Sequence, residues 1–182
     1  MKPSPYFTDR FRYFFKRFSS QQSLTRWFLD RAGNECETMS FPDVLKNMPR
    51  TLVFLPKDLK ESSHFLKELP PRFMQIARFC VHEPLQSIIA ANRAHAFYYS
   101  DKECRYGEPA FQELEEKIKE FAPQVCIYLG EPFLPCLYLA KVSGASCRIG
   151  FNCENCYPFL NLSLHPSTST EAQLLKEYYG VK

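Results

Sequence analysis

The sequence predicts an α/β domain with a doubly wound parallel sheet of about five strands, preceded by a helical extension. Residues 51–151 hold five short apolar runs of strand length, separated by segments with helical patterns. Strand, helix, strand, repeated with short links, requires right-handed crossovers and therefore parallel strands. No glycine occurs between Gly33 and Gly107. The first strand–helix turn thus lacks the glycines of a dinucleotide-binding fingerprint or a phosphate-binding loop.

The charge divides the chain into two parts. Residues 1–50 carry nine Lys or Arg against five acidic residues, whereas the whole chain of 182 residues has a formal net charge of +3. We therefore predict a basic, aromatic-rich helical extension over residues 1–48 and an α/β domain over residues 49–182. Nucleic acid is not an expected partner, because the positive charge is confined to a short segment and the body is close to neutral.

The N-terminus shows no secretory signal, and no run approaches the ~20 apolar residues of a membrane span. The eight cysteines are then expected to be reduced thiols that pack as small hydrophobic residues. The sequence predicts a cytoplasmic protein, with peripheral attachment to the inner face of the membrane as an option that depends on the extension.

A stripe of aromatic residues at helical spacing marks the extension. Its members, with the two arginines that flank them, are Phe7, Phe11, Phe14, Phe15, Phe18, Arg10 and Arg17. Three interpretations remain open. The helix packs on the α/β domain, it lies on an anionic membrane surface, or it binds the groove of a partner protein.

The strands and helices of the α/β domain are predicted from apolar runs and from the proline, glycine and capping residues that bound them. The predicted strands cover residues 51–55, 73–79, 94–99, 125–129 and 147–151. The predicted helices cover 59–69 with Asp58 as cap, a segment that starts at Pro84, 109–121, and 132–142 closed by Gly144. A capping box of Thr168 and Glu171 predicts a last helix that ends near Gly180.

Ligands of such sheets bind beyond the carboxyl ends of the strands, near the switch in strand order. The residues that we expect to bind a ligand there are Lys57, Lys60, Ser62, Ser63, His82, Asp101 and Glu131. Asp58 is the candidate catalytic base, if a substrate hydroxyl lies within its reach. The simpler interpretation is that Asp58 caps a helix and that the lysines are solvated.

One C-x-x-C motif is formed by Cys153 and Cys156, with Cys147 six residues earlier. A closed zinc site needs four ligands, so His165 or Cys136 would have to supply the fourth. Because the second C-x-x-C pair of a typical zinc site is missing, we expect no bound metal and no cofactor. A small metal- or thiol-dependent protein remains the third and weakest functional class.

Two segments resemble the heptosyltransferase-type glycosyltransferases of lipopolysaccharide synthesis. Residues 121–129 read FAPQVCIYL and residues 140–151 read AKVSGASCRIGF. In that family, a strand of the DLVIDL type leads through a helix to SGA-x-x-RIGF. The resemblance covers the amino-terminal, Rossmann-like half of a two-domain enzyme.

The resemblance implies that this half faces the acceptor sugar, whereas the other half binds the nucleotide-sugar donor. The family's base is an Asp that follows a Gly in the first strand–helix loop, and its nearest counterpart is Asp58, with Lys57 in place of the Gly. Tyr128 replaces an acidic residue of the central strand, and Glu131 is the nearest substitute.

Two functional hypotheses follow. Sugar transfer needs donor, acceptor and base held in one closed cleft, and a solitary half-domain lacks the opposing wall. The leading hypothesis is a non-catalytic, glycosyltransferase-like module that binds a partner protein or a glycan. The alternative is the acceptor-binding half of a heptosyltransferase-type glycosyltransferase that a second domain or chain completes.

Overall fold

The computed structural model describes residues 43–46, 49–102, 104, 108–153, 156–166 and 170–179. It contains a six-stranded sheet in the order β3-β2-β1-β4-β5-β6, and every neighbouring pair of strands is parallel. The predicted doubly wound α/β fold is confirmed, with one strand more than expected. The aromatic stripe and its arginines lie outside the described residues.

The strands are β1 (Thr51–Phe54), β2 (Ala77–His82), β3 (Ala96–Tyr99), β4 (Val125–Tyr128), β5 (Cys147–Phe151) and β6 (Leu162–Leu164). The helices are α1 (Asp43–Lys46), α2 (Leu59–Glu68), α3 (Pro71–Ile76), α4 (Gln86–Ala91), α5 (Pro109–Phe121), α6 (Leu134–Val142) and α7 (Glu171–Tyr179), with a 3-10 turn at Glu83–Leu85. None of these described helices is long and apolar enough to cross a membrane.

The sheet is buried on both faces, as the continuous apolar strands predict. Along β1, Leu52 and Phe54 join the core that α5 and α6 cover, whereas Val53 joins the core under α2, α3, α4 and α7. Leu45 of α1 is fully buried in that second core. The alternation follows from the two-residue period of a strand.

The prediction that residues 73–79 form a strand is wrong for its first half. Pro71 starts helix α3, where its missing N–H costs nothing because the first turn leaves that donor unpaired. The ring of Phe73 is buried and meets the ring of Tyr179 edge-on, with centroids 4.9 Å apart. The strand begins only at Ala77, and it pairs with β1 from there.

Several predicted helix signals are confirmed. Gly144 follows the end of α6 with φ +79°, the left-handed conformation that glycine adopts without strain. On α5, Lys117 pairs with Glu113 at 2.6 Å and Lys119 pairs with Glu115 at 2.5 Å, each one helical turn apart.

The capping box of the last helix is shifted by two residues from its prediction, because α7 begins at Glu171. Glu171 is therefore the first helical residue and cannot be the third. The box is formed by Thr170 and Gln173: the Gln173 N–H donates to Thr170 Oγ1 at 3.3 Å, and the Thr170 N–H donates to Gln173 Oε1 at 3.0 Å. Thr168 lies outside the described residues.

The sixth strand was not predicted. Strand β6 has only three residues, Leu-Ser-Leu, and pairs with the carboxyl-terminal half of β5 at the edge of the sheet. A run this short does not establish a periodic pattern in the sequence.

Candidate functional site

The strand order puts the switch point of the sheet between β1 and β4. The chain leaves β1 toward β2 on one side and leaves β4 toward β5 on the other, so a crevice opens between their carboxyl ends. Two clefts lie there, of about 520 Å³ and about 320 Å³. They share five lining residues, which are Pro56, Glu61, Leu129, Glu131 and Pro132.

Gly130 allows the turn after β4 to pack against Pro56, one of the residues that line both clefts. Its φ of +82° turns the chain out of β4, and a Cβ added there would lie 3.0 Å from the Cβ of Pro56 and 3.2 Å from its Cα. A side chain would therefore clash with the end of β1 and would also strain the backbone. Gly130 thus both turns the chain and allows close packing against Pro56.

The larger cleft, which we call the acidic cleft, contains four glutamates: Glu61, Glu68, Glu131 and Glu171. Glu68 accepts a hydrogen bond from the Thr170 hydroxyl at 2.7 Å and pairs with His64 Nε2 at 3.1 Å. No Lys or Arg occurs among the described residues that line this cleft. Its electrostatic character disfavours phosphates and carboxylates and suits hydrogen-bond donors.

The smaller cleft, which we call the Lys57 cleft, carries one basic side chain among the described residues that line it. Lys57 Nζ lies 2.5 Å from Asp101 Oδ1 and 4.0 Å from the centre of the Phe133 ring. His82 Nε2 lies 3.7 Å from the same Asp101 oxygen. The charge of Lys57 is thus shared with a carboxylate and an aromatic face, which lowers its ability to hold an anionic ligand.

The turn after β4 is held by a tyrosine. The Tyr128 hydroxyl accepts a hydrogen bond from the Phe133 N–H at 2.8 Å and donates one to the Glu131 carbonyl at 3.1 Å. Burial raises the pKa of Tyr128 far above its ordinary value, so the phenol stays protonated. Tyr128, at the position that is acidic in the family that the sequence resembles, therefore has a structural function.

Asp58 acts as the N-cap of α2. One carboxylate oxygen, Oδ1, accepts the N–H groups of Lys60 at 2.8 Å and Glu61 at 2.9 Å. These bonds satisfy donors that the first turn of a helix otherwise leaves unpaired. The predicted cap is confirmed. The carboxylate that forms it belongs to the same residue that the sequence suggests as a catalytic base.

The other predicted site residues lie in three places. Glu131 lines both clefts, and Lys57, His82 and Asp101 come together at the rim of the smaller one. The Ser62 side chain is fully buried and donates to the Pro56 carbonyl at 2.7 Å. Lys60 and Ser63 line a separate groove with Leu59, His64, Lys67 and Ile88.

Sequence reasoning missed Thr170, Glu171 and Phe133 as residues of the crevice. Thr170 and Glu171 lie at the start of α7, and no strand was predicted between residue 151 and that helix, so the rule about carboxyl ends did not select them. Glu61 and Asn152 follow β1 and β5, in segments that the same rule places at the rim.

Five of the described cysteines form two groups in the core that α5 and α6 cover. Cys80, Cys104 and Cys136 interact with one another and with Tyr99, whereas the sulfurs of Cys153 and Cys156 lie 3.2 Å apart. His165, one candidate fourth zinc ligand, contacts the Ser163 hydroxyl at 3.1 Å. Within the described ranges, no group of three or more His, Cys, Asp or Glu side chains is arranged to hold a metal ion.

The segment that carries the family resemblance has structural functions throughout. Ser143 Oγ donates to the Ala140 carbonyl at 2.7 Å and accepts from the Ala145 N–H at 3.2 Å. The buried Arg148 donates to the carbonyls of Phe159 and Ala145, each at 2.7 Å. Gly150 faces Cys153 so closely that an added Cβ would lie 2.7 Å from the Cys153 Cβ. The motif therefore specifies packing.

Comparison with solved structures gives a similarity over part of the chain. The chain is similar to the ADP-heptose lipopolysaccharide heptosyltransferase II of E. coli, with a TM-score of 0.45 and 19% sequence identity. The match covers 64% of this chain and 35% of that enzyme, so this chain corresponds to about a third of its length. No protein-family model matches the sequence, and no curated protein matches it.

Proposed function

We propose that this chain is a non-catalytic, glycosyltransferase-like module that binds a neutral, hydroxyl-rich ligand of the glycan class in the crevice between β1 and β4. One observation carries the proposal. The acidic cleft at the switch point is lined by four glutamates and, among the described residues, by no Lys or Arg. Hydroxyl groups donate hydrogen bonds to carboxylates, whereas nucleotide phosphates are repelled by them.

The size and position of the crevice support a small-molecule site. The acidic cleft measures about 520 Å³, within the usual range for ligand pockets of roughly 300–1,000 Å³. Apolar surface from Pro56, Phe65, Leu129 and Pro132 accompanies the carboxylates. Such a mixture offers contact to the C–H face of a sugar ring together with acceptors for its hydroxyls.

The non-catalytic part of the proposal depends on Asp58. Its Oδ1 atom already accepts two backbone N–H groups, which fix the carboxylate at the start of α2. A general base must lie within hydrogen-bond reach of the hydroxyl that it deprotonates, and the Oδ1 acceptor of Asp58 is already occupied by the helix.

A pair of Asp58 variants tests the non-catalytic part. Asp58→Asn keeps the cap, because Asn is as good an N-cap as Asp, but it removes the basic carboxylate. We expect the wild-type chain to transfer no sugar from a panel of nucleotide sugars, and we expect Asp58→Asn to bind oligosaccharides as the wild type does. Sugar transfer by the wild type that Asp58→Asn abolishes would refute the proposal.

Oligosaccharide binding tests the ligand class. Saturation-transfer NMR with neutral oligosaccharides and with their phosphorylated counterparts should detect the neutral set only. The double variant Glu61→Gln with Glu131→Gln should weaken that binding, whereas Glu116→Gln, an exposed change on α5, should not. Preference for phosphorylated sugars, or for simple amines, would show that the ligand class is wrong.

The alternative function is the acceptor-binding half of a glycosyltransferase. The position of Asp58 beside the Lys57 cleft favours it, since Asp58 lines that cleft as an acceptor-side base would. If this alternative holds, the chain should transfer sugar only when a second, donor-binding domain is added. The Asp58→Asn variant should then lose that transfer.

A further inference from the structure

The connection between β5 and β6 contains a pair of thiols that the proposed function does not use. Cys153 and Cys156 are 2% and 6% exposed, and their sulfur atoms lie 3.2 Å apart. A disulfide bond needs an S–S distance of about 2.05 Å, so closing this pair requires a displacement of only about 1 Å.

Both cysteines are held in place by their backbones. The Cys153 carbonyl accepts a hydrogen bond from the Ser163 hydroxyl at 2.9 Å, which ties it to β6. The Cys156 carbonyl accepts the Leu160 N–H at 3.0 Å. Cys153 also packs against the bare Cα of Gly150, where no side chain would fit. These contacts keep the two sulfurs facing each other.

The pair lies directly beneath the surface. Asn152 before it is exposed, and Tyr157 after it is 83% exposed. The two thiols therefore lie within one residue of side chains that solvent reaches.

We propose that Cys153 and Cys156 are a redox-active dithiol, which a low-molecular-weight disulfide such as oxidised glutathione converts to an intrachain disulfide. Burial and the hydrogen bond with Cys156 raise the pKa of Cys153 to about 12, so Cys153 keeps its proton at neutral pH. We assign the first attack to Cys156, because its side chain is more exposed than that of Cys153 and it adjoins the exposed Tyr157.

The chemistry balances in two exchanges. Cys156 first loses its proton to solvent, and its sulfur then attacks one sulfur of the small disulfide, which forms a mixed disulfide and releases one small thiolate. Cys153 then loses its proton to solvent and attacks the Cys156 sulfur, which forms the Cys153–Cys156 bond and releases the second small thiolate. The protein dithiol is oxidised by two electrons, and the small disulfide is reduced to two thiols.

Peptide mapping of the full, folded chain tests the proposal. Trypsin releases Cys153 and Cys156 together in peptide 149–176, because no Lys or Arg lies between Arg148 and Lys176, and it releases Cys147 separately in peptide 142–148. The reduced chain is incubated with oxidised glutathione, quenched in acid and then alkylated after denaturation. Peptide 149–176 should carry no alkyl group and be two hydrogens lighter than its reduced, unalkylated form, whereas peptide 142–148 should carry its alkyl group.

Two single variants test the order of attack. In Cys153→Ser, Cys156 should accumulate as a stable mixed disulfide with glutathione, because no second thiol remains to resolve it. In Cys156→Ser, Cys153 should form that adduct at least tenfold more slowly. Equal trapping in the two variants would refute the assignment of Cys156 as the attacking sulfur.

Two further outcomes would overturn the proposal itself. One is preferential oxidation within the Cys80, Cys104 and Cys136 group while peptide 149–176 stays fully alkylated. The other is formation of the Cys153–Cys156 bond only in urea-unfolded chain, because the folded geometry would then contribute nothing. The variant Cys147→Ser, another buried cysteine, provides the matched control for folding.

Discussion

The hydroxyl of Tyr128 lies 2.8 Å from the backbone nitrogen of Phe133 and 3.1 Å from the carbonyl oxygen of Glu131. A side chain of the central strand β4 therefore holds the turn that lines both clefts. The ring itself stacks on Phe54 of β1, with centroids 5.6 Å apart. The shape of the crevice thus depends on contacts made inside the sheet.

Removal of this hydroxyl should destabilise the fold. In Tyr128→Phe, the Phe133 N–H and the Glu131 carbonyl lose a partly buried partner, so the free energy of unfolding should fall by about 1–2 kcal/mol. Urea unfolding followed by circular dichroism measures it. Tyr138→Phe is the matched control, since its hydroxyl makes a longer bond, 3.3 Å, to the carboxylate of Glu115. An equal loss of stability in both variants would contradict the role of the Tyr128 hydroxyl in holding this turn.

Gly130 and Gly144 form a second matched pair. Both have a positive φ, but a Cβ at Gly130 would meet Pro56 at 3.0 Å, whereas nothing lies within 4 Å of one at Gly144. Gly144→Ala should cost only the left-handed strain, about 1 kcal/mol. Gly130→Ala should cost about 1–2 kcal/mol more, because the end of β1 must move. Thermal unfolding of the two variants measures these losses of stability. Equal losses would exclude a role for the contact with Pro56.

Arg148 should be a stability residue. Its guanidinium is buried and donates from two different nitrogens to the carbonyls of Phe159 and Ala145. Lysine cannot reproduce this fork, so Arg148→Lys should lower the free energy of unfolding by about 2–4 kcal/mol. Arg78→Lys is the control, because Arg78 is only half-buried. Loss of ligand binding without loss of stability would instead assign Arg148 to the site.

The stability of the reduced chain should fall in alkali because of Cys153. Burial raises the pKa of this thiol to about 12 from 9.0, so the unfolded chain loses its proton at a pH where the folded chain keeps it. The stabilisation that the protonated Cys153 thiol gives the folded chain is complete below the pKa of the unfolded state. It declines as the pH rises toward about 12. Urea midpoints at about pH 8 and about pH 10, with reductant present, should show a smaller decline in Cys153→Ser than in the wild type. An identical decline would contradict this assignment.

The local elements were accessible to sequence reasoning where the signal is contained in a few neighbouring residues. Asp58 before α2, Gly144 after α6 and the glutamate–lysine pairs of α5 are such signals, and each is confirmed. The capping box of α7 shows the limit. Thr168 with Glu171 and Thr170 with Gln173 both fit the pattern, and packing of α7 chooses between them through the bond from Thr170 to Glu68, 102 residues away.

Only part of the crevice could be predicted from the sequence. The rule about carboxyl ends selected Lys57, His82, Asp101 and Glu131, which do lie at that edge. It could not show that Asp101 neutralises Lys57, since the two residues are 44 positions apart and become neighbours only when β3 and β1 both join β2.

The sequence by itself determined the class of fold. Apolar runs of strand length, alternating with capped helices, can bury both faces only as a parallel sheet covered on each side. Tertiary structure alone decided the character of the site. The strand order brings Glu61, Glu131 and Glu171 from distant parts of the chain into one cleft, and charge in a protein acts through distance in space, which sequence spacing does not specify.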